Sequence, residues 1–397
     1  MRRLRICYVG TPWLAVGPRR GGIPKTILEL SRALARDHDV HVVSPRPSPG
    51  TPHLNEHHVR VHYAPVSEVL SYPIPEKLEP GLTGFRLLVR MAFAVVAIFA
   101  AYEALRRTRR IEVTVITNKY VALPILLFLR RQRAVFVYSE RNIWPWLYPA
   151  PSDGWSRLRH VLNVWLGKVV CRLSDGVHAN SESLRNALMA HGLDVKRIVV
   201  IPNGVDLGSQ QDGPRPLSDP VTIAFVGRLV EDKGVRTLLE VIQRLNVSNR
   251  QLHFAIFGDG PLRHLFSEKT IENCTWYRER PREEVIAQLR FAHIALFLSP
   301  VENVPSNALM EALALGKAVI ATNVGDTPRF LINGQSGILC DPDPASVTKA
   351  ITDLLDNKEQ YSRLTSGAKL FASAYSWDEI ARRHAEFYAS VMSAAEA

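Results

Sequence analysis

Arg228 and Lys233 stand five residues apart in the loop Gly227-Arg228-Leu229-Val230-Glu231-Asp232-Lys233-Gly234, which glycine bounds at both ends. A guanidinium and an ammonium at that spacing can meet one pair of phosphates. Further along, Glu302 and Glu311 flank a helix start, Asn303-Val304-Pro305-Ser306-Asn307. Proline tolerates the first turn of a helix, and serine or asparagine caps its unpaired amides. Such a tip attracts an anion. A third turn, Gly258-Asp259-Gly260-Pro261, is tight enough for backbone to approach a ligand. Together these groups suit a diphosphate that also carries several hydroxyls. The sequence has no Walker lysine pattern, no HExxH, no Cys/His ligand spacing and no Gly-x-Ser-x-Gly elbow, so no metal is expected.

Each of these turns must be held by a strand. His293–Leu298 is apolar, a short helix closed by Gly316 follows the Ser306 region, and Ala318–Ala321 is apolar again. A strand, helix and strand with tight connections make a parallel βαβ unit. Strand Thr222–Val226 leads into the Arg228/Lys233 loop, a helix is predicted near Val235–Leu245, strand His253–Phe257 leads into the glycine turn, and Glu283–Arg290 reads as a helix. Parallel strands share one polarity, so the three turns are expected on one edge of one sheet. Taken alone, Arg228 and Lys233 are more simply surface cations; their convergence with the other turns argues for the phosphate.

The first half repeats the pattern. Leu4–Gly10 is a strand, a Pro/Gly-rich loop runs through Gly21-Gly22, Pro24–Arg36 is helical and Asp39–Ser44 is a strand. This is one mononucleotide-binding half in outline, without GxGxxG. Gly21 and Gly22 would let backbone come close to a ligand, or simply form a flexible turn. Strands are also predicted at Val113–Thr117, Ala134–Ser139, Asp175–Ser181 and Val195–Pro202. After Ser139 come Glu140, Arg141, Asn142 and Trp144, among further aromatics. Rings that cover sugar faces beside polar groups that take hydroxyls would bind an acceptor; a packed loop with aromatic anchors is the alternative. Leu82–Leu105 is the most hydrophobic stretch, but its uncharged core, Met91–Tyr102, is too short to span a bilayer. It is either a buried helix under a basic rim or a peripheral docking element on an anionic membrane.

A chain of 397 residues is comfortable for two cores. Residues 1–200 hold 29 Lys and Arg against 14 Asp and Glu, a net +15; the rest hold 20 against 24, a net −4. The first half therefore faces something anionic or carries a solvated arginine-rich surface. The four scattered cysteines fit a reducing compartment, and MRRLRICYVG reads as a first strand rather than a leader, so a cytoplasmic protein is expected. Leu207–Pro220 is polar and aperiodic, as a linker would be. The expected architecture is α/β, two facing Rossmann-like doubly wound parallel sheets with a cleft between them: residues 1–203 on the acceptor side, 204–220 linking, 221–375 on the donor side, and 376–397 as a tail.

At these residues the sequence resembles the family-four retaining glycosyltransferases of GT-B fold. The matching pieces are Gly21-Gly22, IPNGVD at 201–206, FVGRLVEDKG at 225–234, FGDGP at 257–261, SPVENVPSNALMEALALGKAVIATNVGDTP at 299–328, NGQSGIL at 333–339 and YSWD at 375–378. The resemblance implies that Arg228 and Lys233 neutralise the donor diphosphate. It implies that Glu311 holds ribose hydroxyls, that Glu302 contacts the donor sugar with amides of Val304–Asn307 beside it, and that backbone near Arg280–Arg282 frames the base. The family usually leaves seven residues between its two glutamates; here there are eight, so either Glu302 or Asn303 fills the first position. Many members also carry a His-Asp pair where this chain has Ser139-Glu140-Arg141, leaving Glu140, Arg141 or His178 as substitutes. The tail helix would cross back to the first domain, so that closure assembles the site.

The function expected from this is metal-independent retaining transfer of a hexose-type sugar from a nucleotide-diphosphate sugar, a UDP-sugar favoured, without a cofactor. The acceptor would be a glycan, a lipid-linked sugar at the inner membrane face, or a small molecule such as a natural-product aglycone; nucleic acid is not expected as a partner. A nucleotide-sugar epimerase of the same architecture and a non-catalytic binding module are the rivals.

Overall fold

The computed structural model describes residues 2–16, 22–47, 58–67, 85–129, 134–147, 149–150, 152–208, 215–248, 250–267, 271–301 and 306–396. The chain divides into two compact units, one of Met1–Gly204 with Trp377–Ala397 and one of Val205–Ser376.

The first unit is built on a parallel sheet of β1 (Arg5–Val9), β2 (Asp39–Arg46), β3 (Val59–Ser67), β4 (Val113–Ile116), β5 (Val135–Glu140), β6 (Gly176–Ala179) and β7 (Ile198–Val200). Its strand order is β3-β2-β1-β4-β5-β6-β7. Strands such as β1, β2 and β5 are buried almost end to end. That is what a parallel sheet covered on both faces demands, and why these runs are continuously apolar rather than alternating. The helices are α1 (Gly22–Leu34), α2 (Phe85–Thr108), α3 (Lys119–Leu129), the single turn α4 (Trp144–Leu147), α5 (Gly154–Leu173) and α6 (Glu182–Ala190).

The second unit has a parallel sheet of β8 (Val221–Val226), β9 (Leu252–Phe257), β10 (Cys274–Trp276), β11 (Ile294–Phe297), β12 (Ala318–Thr322) and β13 (Ile338–Cys340), in the order β10-β9-β8-β11-β12-β13. Its helices are α7 (Val235–Asn246), the short α8 (His264–Ser267), α9 (Arg282–Leu289), α10 (Asn307–Ala314), α11 (Pro344–Asp356) and α12 (Lys358–Ser373). A last helix, α13 (Trp377–Glu396), belongs to the first unit and packs on α1. Both sheets are doubly wound, and each reverses direction once: between β1 and β4, and between β8 and β11. Ligands of such sheets bind where the order reverses, beyond the carboxyl ends of the strands.

Several predicted boundaries move for local reasons. Strand β11 begins at Ile294, one residue later than expected, and the His293 ring before it accepts from the Thr222 amide at 2.9 Å. Val195–Arg197, expected as strand, is a turn of 3₁₀ helix that the Asp194 side chain caps, leaving only Ile198–Val200 in the ladder. Of the predicted linker, residues 209–214 lie outside the described residues. Arg215 beyond them is fastened to the second unit, its carbonyl accepting from Tyr361 at 2.6 Å.

The hydrophobic stretch is a 24-residue helix, α2. Ala94, Ala97, Ile98, Tyr102 and Leu105 on one side are buried, and Tyr102 is bonded to Thr114 of β4 at 2.7 Å. Its other side is exposed. No helix among the described residues is long and apolar enough to cross a membrane.

Candidate functional site

The two strands that flank the reversal in the second sheet, β8 and β11, deliver the two segments that the sequence singles out. The loop after β8 closes in a 3₁₀ turn, Glu231–Lys233, and ends on Gly234 at φ 71°, a left-handed conformation that opens α7. A Cβ on Gly234 would lie 1.9 Å from the carbonyl oxygen of Leu298, so only glycine lets this loop rest on the end of β11. Lys233 is set by that contact. Helix α10 follows β11, and the Ser306 side chain caps it by accepting from the Leu309 amide at 3.3 Å. Lys233, Ser299, Ser306, Thr322 and Thr327 line a single small cavity of about 50 Å³ together with the ends of β8 and β11. The helix tip and the lysine thus share one pocket. A larger groove of about 340 Å³, between β13 and α11, has none of the singled-out residues in its wall.

Burial pulls the Lys233 ammonium below the ordinary lysine pKa; Asp232 opposes this and the neighbouring Arg228 guanidinium adds to it. A half-buried ammonium beside a helix tip, with a second cation near enough to lower its pKa, can receive an anion. Arg228 itself is exposed.

The Gly258 turn is packed against the Arg228/Lys233 loop. Its φ is 138°, and a Cβ there would lie 1.9 Å from the Gly227 carbonyl oxygen. Leu229 and Asp259 are joined by a backbone bond of 2.9 Å, and Leu262 donates to the Leu229 carbonyl at 3.0 Å. The turn therefore buttresses the Arg228/Lys233 loop. Gly258→Ala is expected to destabilise the protein by about 3 kcal/mol, measured by denaturant unfolding, because the side chain must displace backbone.

Glu311 lies one turn inside α10, almost buried, and its Oε1 accepts from Arg282 Nε at 2.7 Å. Arg282 opens α9, so the structure brings Glu311 and the Arg280–Arg282 segment together. The arginine side chain itself was not singled out from the sequence, nor were Thr322 and Thr327. Thr322 Oγ1 donates to the Ser299 carbonyl at 2.6 Å and ties the end of β12 to the start of the loop after β11. Gly21, Glu302, Asn303, Val304 and Pro305 lie outside the described residues. Asn307 is the first residue of α10.

In the first unit, Gly22 opens α1 at φ 60° with open space beside it. Glu140, expected to meet an acceptor, is turned inward instead. It is buried; Oε2 accepts from Trp146 Nε1 at 3.1 Å and from the Tyr138 hydroxyl at 3.2 Å. Its Oε1 accepts from the amides of Arg141 and Asn142, each at 3.0 Å. The carboxylate shapes the turn rather than facing out of it. Trp144 stands at the start of α4, and Asn142 is exposed. Arg141 donates to Ser139 Oγ at 3.2 Å and to Asn203 Oδ1 at 2.6 Å.

His178 offers no free nitrogen: its ring meets Ser139 Oγ and the Ile201 carbonyl, each at 2.8 Å. Burial pushes its pKa down to about 3. It is a neutral structural histidine. Its ring lies against His384 of α13, which meets Tyr388, which in turn is bonded to Tyr8 of β1 at 2.6 Å. Trp377 covers Gly204, where a Cβ would lie 2.4 Å from the indole. The IPNGVD and YSWD segments are fastened together in this way.

Comparison with known proteins identifies the family. The model described as Glycosyltransferase Family 4 matches residues 20–209, and that of Glycosyl transferases group 1 matches residues 210–371. The chain belongs to the family-four glycosyltransferases. Glycogen synthase of Mycobacterium tuberculosis is 28% identical over 246 residues, which cover 60% of this chain and 58% of that one. The matched region is thus a little over half the length of that relative. Sucrose-phosphate synthase of Thermosynechococcus elongatus has a similar structure, with a TM-score of 0.76 and 18% identity over 99% of this chain and 100% of that one. Anabaena HepE in complex with UDP-glucose is similar with a TM-score of 0.66 and 16% identity over 98% and 100%. The fold is GT-B.

Proposed function

We propose that the protein transfers a hexose-type sugar, with retention and without a metal, from a nucleoside-diphosphate sugar to a glycan, lipid-linked or small-molecule acceptor. The observation that carries this is the single cavity where Lys233 meets the Ser306-capped tip of α10 at the reversal of the second sheet. Lys233 and Arg228 neutralise the diphosphate and the charge that grows on it as the bond to the anomeric carbon breaks. Glu311, oriented by Arg282, takes the ribose hydroxyls. Glu302 or Asn303 contacts the donor sugar, with the amides of Val304–Asn307 beside it. The acceptor hydroxyl attacks the anomeric carbon from the face that the diphosphate leaves, and its proton passes to the departing phosphate oxygen. The products are the glycoside and a nucleoside diphosphate.

The UDP-glucose held by HepE supports a UDP-sugar as the donor here. Gly22 and the Arg141–Asn142–Trp144 turn serve the acceptor side. An epimerase of the same architecture would need acid and base groups around the sugar and no acceptor; free nucleotide that appears only with added acceptor favours transfer.

The test is a screen of nucleotides and nucleotide sugars by thermal shift and by release of free nucleotide. UDP is expected to raise the melting temperature, and UDP release from a UDP-sugar is expected to rise with added acceptor. A chain that no nucleoside diphosphate stabilises refutes the assignment.

A further inference from the structure

The helices on one face of the first unit's sheet leave a broad apolar surface uncovered. The outer stripe of α2 is Val89, Phe93 and Val96, at successive helical turns, with Phe93 and Val96 each 62% exposed. On α5 the open stripe runs Trp155, Leu158, Leu162 and Trp165, with Trp155 73% exposed. Between them lies α3, packed against both helices, which adds Leu127 and Phe128, the latter 73% exposed. Phe128 meets Phe99 of α2 edge-on, with 6.3 Å between ring centroids, and Tyr120 of α3 donates to Asn163 of α5 at 2.8 Å. The three stripes are therefore one continuous surface. Single exposed apolar residues are ordinary, but a patch spanning three neighbouring helices marks a place where something binds.

The charges around the patch say what that is. Helix α5 carries Arg157, Arg159, Lys168 and Arg172 and no Asp or Glu. Helix α2 carries exposed Arg90 next to Val89, Arg107 is exposed near its far end and paired with Glu103, its one acid, and Arg109 and Arg110 are exposed just beyond it. A second copy of this chain on the same patch would set these cations against each other. An anionic bilayer would not. Tryptophans at the margin of an apolar strip, with arginines around it, match the boundary between acyl chains and headgroups.

We propose that the α2–α3–α5 face docks the protein flat onto an anionic lipid bilayer. The apolar stripes enter the acyl boundary, and the arginines meet lipid phosphates. Docking stands independently of sugar transfer; the corollary, that the acceptor is presented at the bilayer, rests on the transferase reading.

The test is cosedimentation of the full chain with vesicles of phosphatidylcholine alone, or with about one-third phosphatidylglycerol, at low and high salt. At low salt the anionic vesicles are expected to bind at least tenfold more protein than neutral ones, and high salt to reduce the difference. A Phe93→Asp/Leu162→Asp variant should lose at least tenfold in binding while keeping the wild-type melting temperature and its shift with UDP. Should that variant aggregate, Trp155→Ser/Trp165→Ser makes the same test, since both indoles are exposed. Equal binding by wild type and variant, or no binding to anionic vesicles at low salt, overturns the docking surface. So does a dimer in the ultracentrifuge that the variant abolishes, with no vesicle binding, which would assign the patch to a second copy. A retained UDP shift in those cases leaves the transferase reading standing.

Discussion

Lys233→Ala is expected to slow sugar transfer by about 10²- to 10³-fold, the range seen when one preorganised group at a developing anion is removed. The loss should fall on kcat and on kcat/KM alike, because the diphosphate gains charge as the glycosidic bond breaks. The fold should survive, since Gly234 and the Leu229–Asp259 bond hold the loop without help from the ammonium. The pH profile gives an independent check. The folded protein lowers the pKa of Lys233, so the side chain loses its proton at a lower pH than an exposed lysine does. The cation is present below that pKa and lost above it. The alkaline limb of kcat/KM, which reports the free enzyme, should therefore lie below the usual lysine range. In Lys233→Arg the limb should move upward, because guanidinium stays protonated. A wild-type profile flat to high pH, or full turnover by Lys233→Ala, removes the assignment.

Glu311→Ala is expected to weaken donor binding by about 10- to 100-fold, the worth of hydrogen bonds between a charged group and the ribose hydroxyls. It should appear mainly in the KM for the donor and in the Kd for UDP, with kcat changed much less, since the ribose lies away from the bond being broken. The ion pair sets a second expectation. Arg282 keeps about a third of its side chain in solvent whereas Glu311 keeps 11%. Removing Glu311 leaves a guanidinium that water can reach. Removing Arg282 takes a cation away from a carboxylate that is nearly buried. Arg282→Ala should accordingly cost more stability than Glu311→Ala, by denaturant unfolding, although only the latter deletes the proposed ribose ligand. Unchanged UDP affinity in Glu311→Ala overturns the role.

The second sheet was the more legible part of the chain. The β11–α10–β12 unit announces itself through two apolar runs, the capping Ser306 and the closing Gly316. Parallel pairing then forces its turn and the Arg228/Lys233 loop to the same edge. Groups placed by packing between elements were not legible. Thr322 enters the cavity wall because β12 pairs with β11 in one register, and Arg282 finds Glu311 across two helices. Nor does a sequence say which way a carboxylate turns. Glu140 could face outward as readily as inward until Tyr138 and Trp146 are seen to donate to it. Helix α5 went unnoticed because its apolar residues surround it on nearly every side, which blurs the 3.6-residue period. The same blurring is what leaves tryptophans on its outer surface.

The His384–Tyr388–Tyr8 contacts carry a consequence for biosynthesis. The first unit draws helix α13 from beyond the second unit in sequence, and that helix fills a place beside β1 with buried aromatic and imidazole groups. The ribosome makes β1 long before it makes Tyr388. While the intervening residues emerge, Tyr8 waits without its partner, and Val205–Ser376 can complete its own core in the meantime. Of the two units, the one whose synthesis starts first is thus the one completed last.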